Sequence, residues 1–293
     1  MIQYLSILRP NHWSKNSIAL AGFIIALIAL QKSFTFSFFA NIILLLIALG
    51  LISSGNYIMN DLLDKEQDLK HPLKRERIIT SGKISRKNAL VMMLSLYIVS
   101  FIISLLTFNL AVNLGLLIFL LQAITYNVPP IRIKDIAFLD VISESFNSPI
   151  RFYLGWALVS SSFPPLSILF FWWAYTGVLM VAKRLAEYRY LGKDKSKEYR
   201  KIFYIYTENS LRYSILIYIA LTIIFTAFIA FLVNNLYQIV TIMVLIQLVW
   251  YYRLADRGDK AVQKPVYIYK DKLFTIYSFL ILIITILIGF KVL

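Results

Sequence analysis

Long apolar segments recur along this chain, each about as long as the helix that a lipid bilayer requires. A helix needs about 20 mostly apolar residues to cross the hydrocarbon core. Hydrophobic residues make up 59% of the 293 residues, an excess that a soluble domain of this length could not bury. We therefore predict an all-α, polytopic membrane helical bundle with about nine transmembrane helices, forming a single domain over residues 1–293. The predicted spans are residues 17–30, 36–59, 89–108, 110–126, 138–160, 166–185, 211–233, 236–252 and 273–290.

Lysine and arginine residues are concentrated in every second segment between the predicted spans. The alternate segments and the C-terminal end carry only Lys32 and Lys291. Under the positive-inside rule, this asymmetry places the N-terminus and the long loops in the cytoplasm and the C-terminus outside. We expect a multi-pass protein of the cell membrane whose active site faces the cytoplasm. The basic segments are residues 9–15, 65–87, 132–134, 183–201 and 253–272.

Composition excludes several classes of function. The net charge of +15 could suggest nucleic acid, but basic loops held at an anionic inner leaflet explain it, and we expect no nucleic-acid partner. The chain has no cysteine, which excludes disulfides, thiolate metal sites and cysteine nucleophiles. The opening residues lack a basic region followed by an apolar core, so we expect no cleavable signal peptide.

Three aspartates follow one another at the end of the second predicted span. Asp61, Asp64 and Asp68 are spaced i, i+3 and i+7, which puts all three carboxylates on one face of a continuous helix. Carboxylates placed so close together repel one another unless a cation lies between them, and Mg²⁺ prefers such oxygen ligands together with substrate phosphates. A solvated acidic helix end is the alternative. The motif predicts a Mg²⁺ site, and the cations that follow it, Lys74 and Arg77 among them, suit a phosphate ligand.

The fifth predicted span is unusually polar. It carries Asp140, Glu144, Asn147 and Arg151. Ionisable groups at membrane depth are costly and normally face a cavity or a partner. These side chains could neutralise one another, since Glu144 and Arg151 lie about two helical turns apart, but we favour the interpretation that they line a polar cleft.

Two adjacent cations, Lys183 and Arg184, end the sixth predicted span. They could extend along the helix end so that their charges reach water. They could equally bind a phosphate group. Their spacing favours neither interpretation.

Several stretches of the sequence resemble one family of membrane enzymes. The string from Asn60 to Gly82, N-D-x-x-D-x-x-x-D-x-x-H-P-x-K-x-x-R-x-I-x-x-G, begins like the first aspartate-rich motif of the UbiA superfamily of intramembrane prenyltransferases. Together with R-P-N-H-W-S-K-N at residues 9–16 and K-R-L-A-E at residues 183–187, it is most similar to the decaprenyl-phosphate phosphoribosyltransferase branch. The resemblance implies a bundle of about nine helices, an active site at the cytoplasmic leaflet and Mg²⁺ as cofactor.

The resemblance also suggests which side chains form the site. The family has a tyrosine followed by a lysine and, six residues later, an aspartate; Tyr126, Lys134 and Asp140 match in order. The expected catalytic residues are Asp61, Asp64, Asp68 and Asp140, of which the first three are the expected metal ligands. The residues expected to bind substrate are Asn60, Lys15, Lys74, Arg77, Tyr126, Lys134, Asn147, Arg151, Lys183, Arg184 and Glu187.

Three hypotheses about function follow. Most members of the superfamily carry a second aspartate-rich motif where this chain has Lys183 and Arg184, which favours transfer of a 5-phosphoribosyl group from phosphoribosyl diphosphate to a polyprenyl phosphate. The stretch at residues 127–131 is more similar to ordinary prenyltransferases, so transfer of a prenyl group from a prenyl diphosphate to an aromatic or other small acceptor is the alternative. Either reaction needs a polyprenyl lipid and a diphosphate-containing donor in the bilayer. A membrane transporter or lipid-binding protein is the hypothesis of another class.

Overall fold

The computed structural model describes residues 6–71, 74–259, 262 and 271–291, and within these ranges it contains helices and no strand. Helices are the expected form because backbone polar groups inside a bilayer must be paired within the protein. Three short 3₁₀ helices cover Pro10–Asn16, Ile133–Asp135 and Lys201–Tyr204. The α-helices are α1 (Ser17–Ala29), α2 (Phe36–Leu63), α3 (Lys65–Leu69), α4 (Arg86–Thr107), α5 (Leu110–Asn127), α6 (Leu139–Ser145), α7 (Asn147–Ala157), α8 (Leu166–Leu191), α9 (Lys193–Tyr199), α10 (Glu208–Val233), α11 (Tyr237–Asp256) and α12 (Lys272–Lys291).

Eight helical segments of the described chain are long and apolar enough to cross a membrane. Seven of them lie in α2, α4, α5, α8, α10, α11 and α12, and the eighth joins the first 3₁₀ helix to α1. Many large apolar side chains on these helices are exposed, for example Leu106 at 83% and Phe231 at 78%, as expected for surfaces that contact lipid. The predicted all-α, multi-pass membrane fold is confirmed.

The fifth predicted span, residues 138–160, is not one continuous helix. It forms α6 and α7, neither of which is long enough to span a membrane. Pro149 has no N–H to donate to the carbonyl of Ser145, and its ring would clash with that carbonyl in an unbroken helix. The side-chain amide of Asn147 donates to the carbonyl oxygen of Glu144 at 3.0 Å and so pairs an acceptor at the end of α6. The described residues therefore contain eight helical segments long and apolar enough to cross a membrane, where about nine spans were predicted.

The chain divides into two compact units, although the sequence showed no internal boundary. The first unit takes in residues 1–27, 32–136 and 150–163, and the second takes in residues 28–31, 137–149 and 164–293. In the first unit, α2 packs along α4 and α5. Its core is made of fully buried side chains that include Leu45, Leu49, Ile52, Leu116 and Phe119.

Two glycines bring α1 and α7 into backbone contact within the first unit. A Cβ atom added to Gly22 would lie 2.0 Å from the carbonyl oxygen of Phe152, and one added to Gly155 would lie 1.8 Å from the carbonyl oxygen of Ala19. Small residues at helix interfaces allow this close approach in membrane proteins. The crossing fixes α7 against the N-terminal segment of the chain.

The second unit is built around α8, which packs along α10 and α11 and against α6. Its core includes Val178, Leu185, Phe203, Leu211 and Leu248. Several buried polar side chains on these helices form hydrogen bonds, as a low-dielectric interior favours. Gln247 of α11, for example, accepts a hydrogen bond from Tyr175 at 3.0 Å and donates one to Ser278 at 2.7 Å.

Candidate active site

The aspartate-rich motif lies where α2 ends and α3 begins. Asp64 is the residue between the two helices, with φ −100° and ψ 6°. Asp61 therefore belongs to the long helix α2, whereas Asp68 belongs to the short helix α3. The prediction of a single continuous helical face for the three carboxylates is wrong, because the helix breaks at the middle aspartate.

Asp61 and Asp68 nevertheless converge on one cation. Nη1 of Arg77 lies 2.9 Å from Oδ1 of Asp61 and 2.6 Å from Oδ2 of Asp68. The second carboxylate oxygen of Asp61 accepts a hydrogen bond from Nη2 of Arg9. Arg77 was expected to bind substrate phosphate; here it binds the two carboxylates.

Asp64 has a different set of partners. Its Oδ1 accepts hydrogen bonds from Nζ of Lys134 at 2.6 Å and from Nη2 of Arg132 at 2.8 Å. Lys134 is 4% exposed and also donates to Oδ1 of Asn127 at 3.0 Å and Oδ1 of Asn60 at 3.3 Å. The predicted site residues Asn60, Asp64 and Lys134 thus meet, although 74 positions separate the outer two along the chain.

The backbone is strained at two of the arginines that reach this cluster. Arg9 has φ 50° and Arg132 has φ 36°, in the left-handed region that costs residues other than glycine roughly 1–2 kcal/mol. Such conformations persist where the surrounding structure holds them, and they concentrate at functional sites. Sequence reasoning assigned no role to either arginine: Arg9 opened a motif that was recognised, while Arg132 had no distinguishing signal beyond its place in a basic loop.

The cluster pairs carboxylates with cations. Arg132 also pairs with Asp135 at 2.9 Å, so Arg9, Arg77, Arg132 and Lys134 form ion pairs with Asp61, Asp64, Asp68 and Asp135. Burial raises the pKa of the Asp68 carboxyl above its ordinary value, and the positive charges of Arg77 and Lys74 oppose that rise. Asp61, Asp64 and Asp68 are buried and have little contact with water. The neighbouring cations therefore provide stabilisation that water does not give these carboxylates.

The cluster fits a divalent cation through two carboxylates. No group of three or more histidine, aspartate or glutamate side chains is placed to hold one metal ion among the described residues, and the set of three ligands, Asp61, Asp64 and Asp68, stays a prediction. Asp61 and Asp68 do direct one oxygen each toward a common point. Mg²⁺ usually takes one or two carboxylates and completes its shell with water and substrate phosphates. The donor set matches that requirement.

A second buried polar cluster lies in the second compact unit. Asp140 is 0% exposed; its Oδ2 accepts a hydrogen bond from Nε of Arg184 at 2.8 Å, and its Oδ1 accepts one from the hydroxyl of Tyr206 at 2.7 Å. The Tyr206 hydroxyl in turn accepts a hydrogen bond from the backbone N–H of Phe138 at 2.8 Å. Burial, and then the charge of Asp140, raise the pKa of Tyr206, so its hydroxyl keeps its proton. Asp140 therefore orients Arg184 instead of presenting its carboxylate to water.

Glu187 extends this cluster. Its Oε2 lies 3.7 Å from Nη1 of Arg184 and 3.4 Å from Nε of Arg200. The residues Asp140, Arg184 and Glu187 were predicted as site residues, and they meet here. Sequence reasoning missed Tyr206 and Arg200. Neither stands in a motif that was recognised, and only their burial and hydrogen bonds identify them.

Two other predicted site residues make contacts apart from these ion pairs. Arg151 donates from Nε to Oδ1 of Asn16 at 2.9 Å, and its guanidinium carbon lies 4.8 Å from the ring centre of Phe119. Asn147 pairs with the end of α6 as described above. Tyr126 is buried at the end of α5. The side chains of Lys15, Lys74 and Lys183 are partly buried.

Comparison with known proteins gives relatives in sequence, of which two illustrate the range of coverage. The chain is 32% identical over 181 residues to an uncharacterized protein of Sinorhizobium fredii, covering 57% of this chain and 32% of that protein. It is 29% identical over 210 residues to the decaprenyl-phosphate phosphoribosyltransferase of Mycolicibacterium smegmatis, covering 70% of this chain and 63% of that protein. The matches span about a third of the first relative and less than two thirds of the second.

The fold is that of solved UbiA homologues. A UbiA homolog from Archaeoglobus fulgidus, bound to DMAPP and Mg²⁺, matches with a TM-score of 0.74 at 18% identity, covering 99% of this chain and 98% of that one. The sequence profile of the UbiA prenyltransferase family matches residues 18–286. Since that match covers most of the chain, this membrane protein belongs to the UbiA prenyltransferase family.

Proposed function

We propose that this chain is a Mg²⁺-dependent transferase that moves a 5-phosphoribosyl group from phosphoribosyl diphosphate to a polyprenyl phosphate, with release of pyrophosphate. The convergence of Asp61 and Asp68 on one cation carries the proposal, because two converging carboxylates suit a metal–diphosphate complex. The phosphoribosyltransferase relative from Mycolicibacterium smegmatis supports the choice of donor. The basic loops support a cytoplasmic active site.

The proposed reaction breaks the bond between the anomeric carbon and the diphosphate oxygen and forms one between that carbon and a lipid phosphate oxygen. Mg²⁺ held by Asp61 and Asp68 would neutralise the leaving pyrophosphate. An ionised phosphate is already a nucleophile, so the protein needs to supply no strong general base. Positioning and electrostatic stabilisation then provide most of the acceleration.

Separate cations serve the two phosphate-bearing substrates in this proposal. Lys134, which is held by Asp64, Asn60 and Asn127, is proposed to bind the donor. Lys183 and Arg184 are proposed to bind the lipid phosphate, with the guanidinium of Arg184 oriented by Asp140. A cation held in place by a buried carboxylate loses less conformational entropy on binding phosphate than one that moves freely.

The second candidate donor is a prenyl diphosphate, with an aromatic or other small molecule as acceptor. The DMAPP and Mg²⁺ bound by the Archaeoglobus fulgidus homolog favour it. In that reaction the same carboxylates would serve the same leaving group, and the electrophile would be an allylic carbon.

The decisive experiment supplies both donors to one preparation. Purified protein in lipid nanodiscs is incubated with Mg²⁺, a membrane lipid extract and either radiolabelled phosphoribosyl diphosphate or radiolabelled prenyl diphosphate, and the labelled product is identified. We expect label from phosphoribosyl diphosphate to enter an acid-labile polyprenyl phosphate product. Label transferred only from prenyl diphosphate would replace this proposal with the second candidate, and metal-independent movement of an unmodified lipid would favour a transporter.

A further inference from the structure

Arg77 occupies the point at which the carboxylates of Asp61 and Asp68 converge. A single nitrogen, Nη1, lies within 2.9 Å of an oxygen from each. A divalent cation bound to the same two oxygens would lie between them, about 2.0–2.1 Å from each, in the region that this nitrogen occupies. The arginine nitrogen and a metal ion cannot both be there.

The three side chains differ in how readily they can leave this arrangement. The Arg77 side chain is 24% exposed, whereas the side chains of Asp61 and Asp68 are 5% and 1% exposed. Arg77 lies in the loop between α3 and α4, outside the α-helices, so its side chain can change rotamer without disturbing helical hydrogen bonds. The carboxylates are fixed and the arginine is the partner that can move.

Movement of Arg77 requires another cation to replace it. Asp61 would keep its ion pair with Arg9. Asp68, whose side chain is 1% exposed, would lose its ion pair with Arg77, and removing one partner of a buried ion pair is strongly destabilising. Release of Arg77 from the carboxylates and binding of a metal ion to them are therefore expected to occur together.

From this geometry we propose that Arg77 competes with the divalent cation for Asp61 and Asp68, and that the displaced guanidinium binds the diphosphate of the donor. The inference rests on the proposed metal-dependent function. A released arginine beside the metal is well suited to this role, because its planar fork matches two phosphate oxygens. Arg77 thus couples the two ligands: the metal binds weakly alone, and metal and diphosphate strengthen each other.

The two effects of removing Arg77 have opposite signs. Without the competing guanidinium, the metal alone should bind more tightly. Without the guanidinium as a phosphate ligand, the diphosphate should no longer strengthen metal binding. Coupling between ligands is reciprocal and is typically about 5- to 150-fold. A residue that merely supports the fold of the site would weaken metal binding under both conditions.

The test measures the Mn²⁺ affinity of the full chain in nanodiscs by electron paramagnetic resonance. Titrations with and without inorganic pyrophosphate are compared at equal concentrations of free Mn²⁺. Pyrophosphate is the probe because both candidate donors carry a diphosphate. Arg77→Gln is compared with wild type and with Arg75→Gln, which removes an equal charge from an exposed position in the same loop. We expect Arg77→Gln to bind Mn²⁺ about tenfold more tightly without pyrophosphate, equivalent to about 1.4 kcal/mol, and to lose most of the strengthening by pyrophosphate. Arg75→Gln should behave like wild type.

Weaker or unchanged Mn²⁺ binding by Arg77→Gln in the absence of pyrophosphate would overturn the competition, while leaving the proposed metal-dependent transferase intact. An equal increase in Arg75→Gln would reduce the effect to net charge and overturn it as well. Failure of the wild type to bind Mn²⁺ even with pyrophosphate would instead remove the metal-dependent function itself.

If Arg77→Gln does not fold, Arg77→Lys retains the charge on a shorter side chain and should show both changes at reduced size. Wild-type values for that variant would contradict the inference.

Discussion

Tyr206 donates its hydroxyl hydrogen to one oxygen of Asp140 at 2.7 Å, while Arg184 binds the other oxygen. The same hydroxyl accepts the backbone N–H of Phe138, whose φ of 68° is unusual for a residue with a side chain. One tyrosine oxygen thus fixes both the carboxylate that orients Arg184 and the strained residue that precedes α6. Loss of that oxygen should affect both.

The first prediction concerns Tyr206→Phe. The substitution leaves a buried carboxylate oxygen and a backbone N–H without their partner, at a cost of about 1–3 kcal/mol for each unpaired group. We expect a lower melting temperature in detergent, measured by intrinsic fluorescence. Tyr204→Phe is the control, since Tyr204 is 70% exposed. Equal melting temperatures for the two variants would contradict the role assigned to the Tyr206 hydroxyl.

The ion pair between Asp140 and Arg184 allows a double-mutant cycle. Arg184→Gln leaves Asp140 as an uncompensated buried charge, which typically costs about 3–5 kcal/mol. Asp140→Asn added to that variant removes the stranded charge, so we expect it to recover much of the lost stability. Thermal unfolding of the two single variants and the double variant provides the measurement. Additive losses would show that the two side chains do not act as a pair.

The carboxylates of the aspartate-rich motif should differ in their effect on metal dependence. Asp61→Asn and Asp68→Asn each remove one of the two converging ligands, so we expect transferase activity to fall at least about tenfold and the Mg²⁺ requirement to rise. Asp64→Asn disturbs Lys134 and Arg132 instead and should reduce activity with less change in the Mg²⁺ requirement. Activity measured against Mg²⁺ concentration separates these outcomes. If Asp64→Asn raised the Mg²⁺ requirement more than the other two variants do, the result would support the hypothesis of three metal ligands.

The crossing of α1 and α7 should not tolerate a side chain at Gly155. A methyl group there would lie 1.8 Å from the carbonyl oxygen of Ala19, and backbone cannot yield as a flexible side chain can. Overpacking costs about 1–3 kcal/mol, so Gly155→Ala should lower the melting temperature by several degrees or more. Gly289→Ala is the matched control, because its added methyl would meet no atom closer than 3.4 Å. Similar stability of the two variants would contradict the proposed backbone contact.

Topology can be tested directly because the chain lacks cysteine. The charge asymmetry predicts that Lys195→Cys is labelled only from the cytoplasm and that Lys32→Cys is labelled from outside. A membrane-impermeant maleimide applied to intact cells and to inverted vesicles measures both. Labelling of residue 195 in intact cells would reverse the predicted orientation. The predicted external position of the C-terminus falls on residues 292 and 293, which lie outside the described residues.

Apolar segment length was enough to predict most of the helices. Segments such as 36–59 and 110–126 match α2 and α5 closely, because a bilayer requires about 20 apolar residues whatever the packing partners. The prediction of one continuous helix over residues 138–160 was wrong for a local reason. The composition of this segment suggested one helix, and a single proline in its middle prevented that, as the backbone chemistry of proline would have indicated.

Residues of the two ion-pair clusters were predictable where a motif or a costly charge marked them. Asp61, Asp64, Asp68, Lys134 and Arg184 were all singled out from the sequence, and their side chains lie in these clusters; their roles in metal and substrate binding stay predictions. The sequence did not show which side chains pair with one another. Arg9 and Asp61 are 52 positions apart along the chain, and Tyr206 and Asp140 are 66 positions apart. Such long-range contacts depend on how helices pack, which periodicity does not encode.

The break at Asp64 separates the positions of Asp61 and Asp68 from the geometry of a single helix. Had the two carboxylates shared one straight helix, the rise and turn of that helix would set the distance and direction between their backbones. Because α2 and α3 meet at a non-helical residue, the direction of the short helix α3 determines where Asp68 stands relative to Asp61. The spacing of the two carboxylates is therefore a property of the backbone at Asp64.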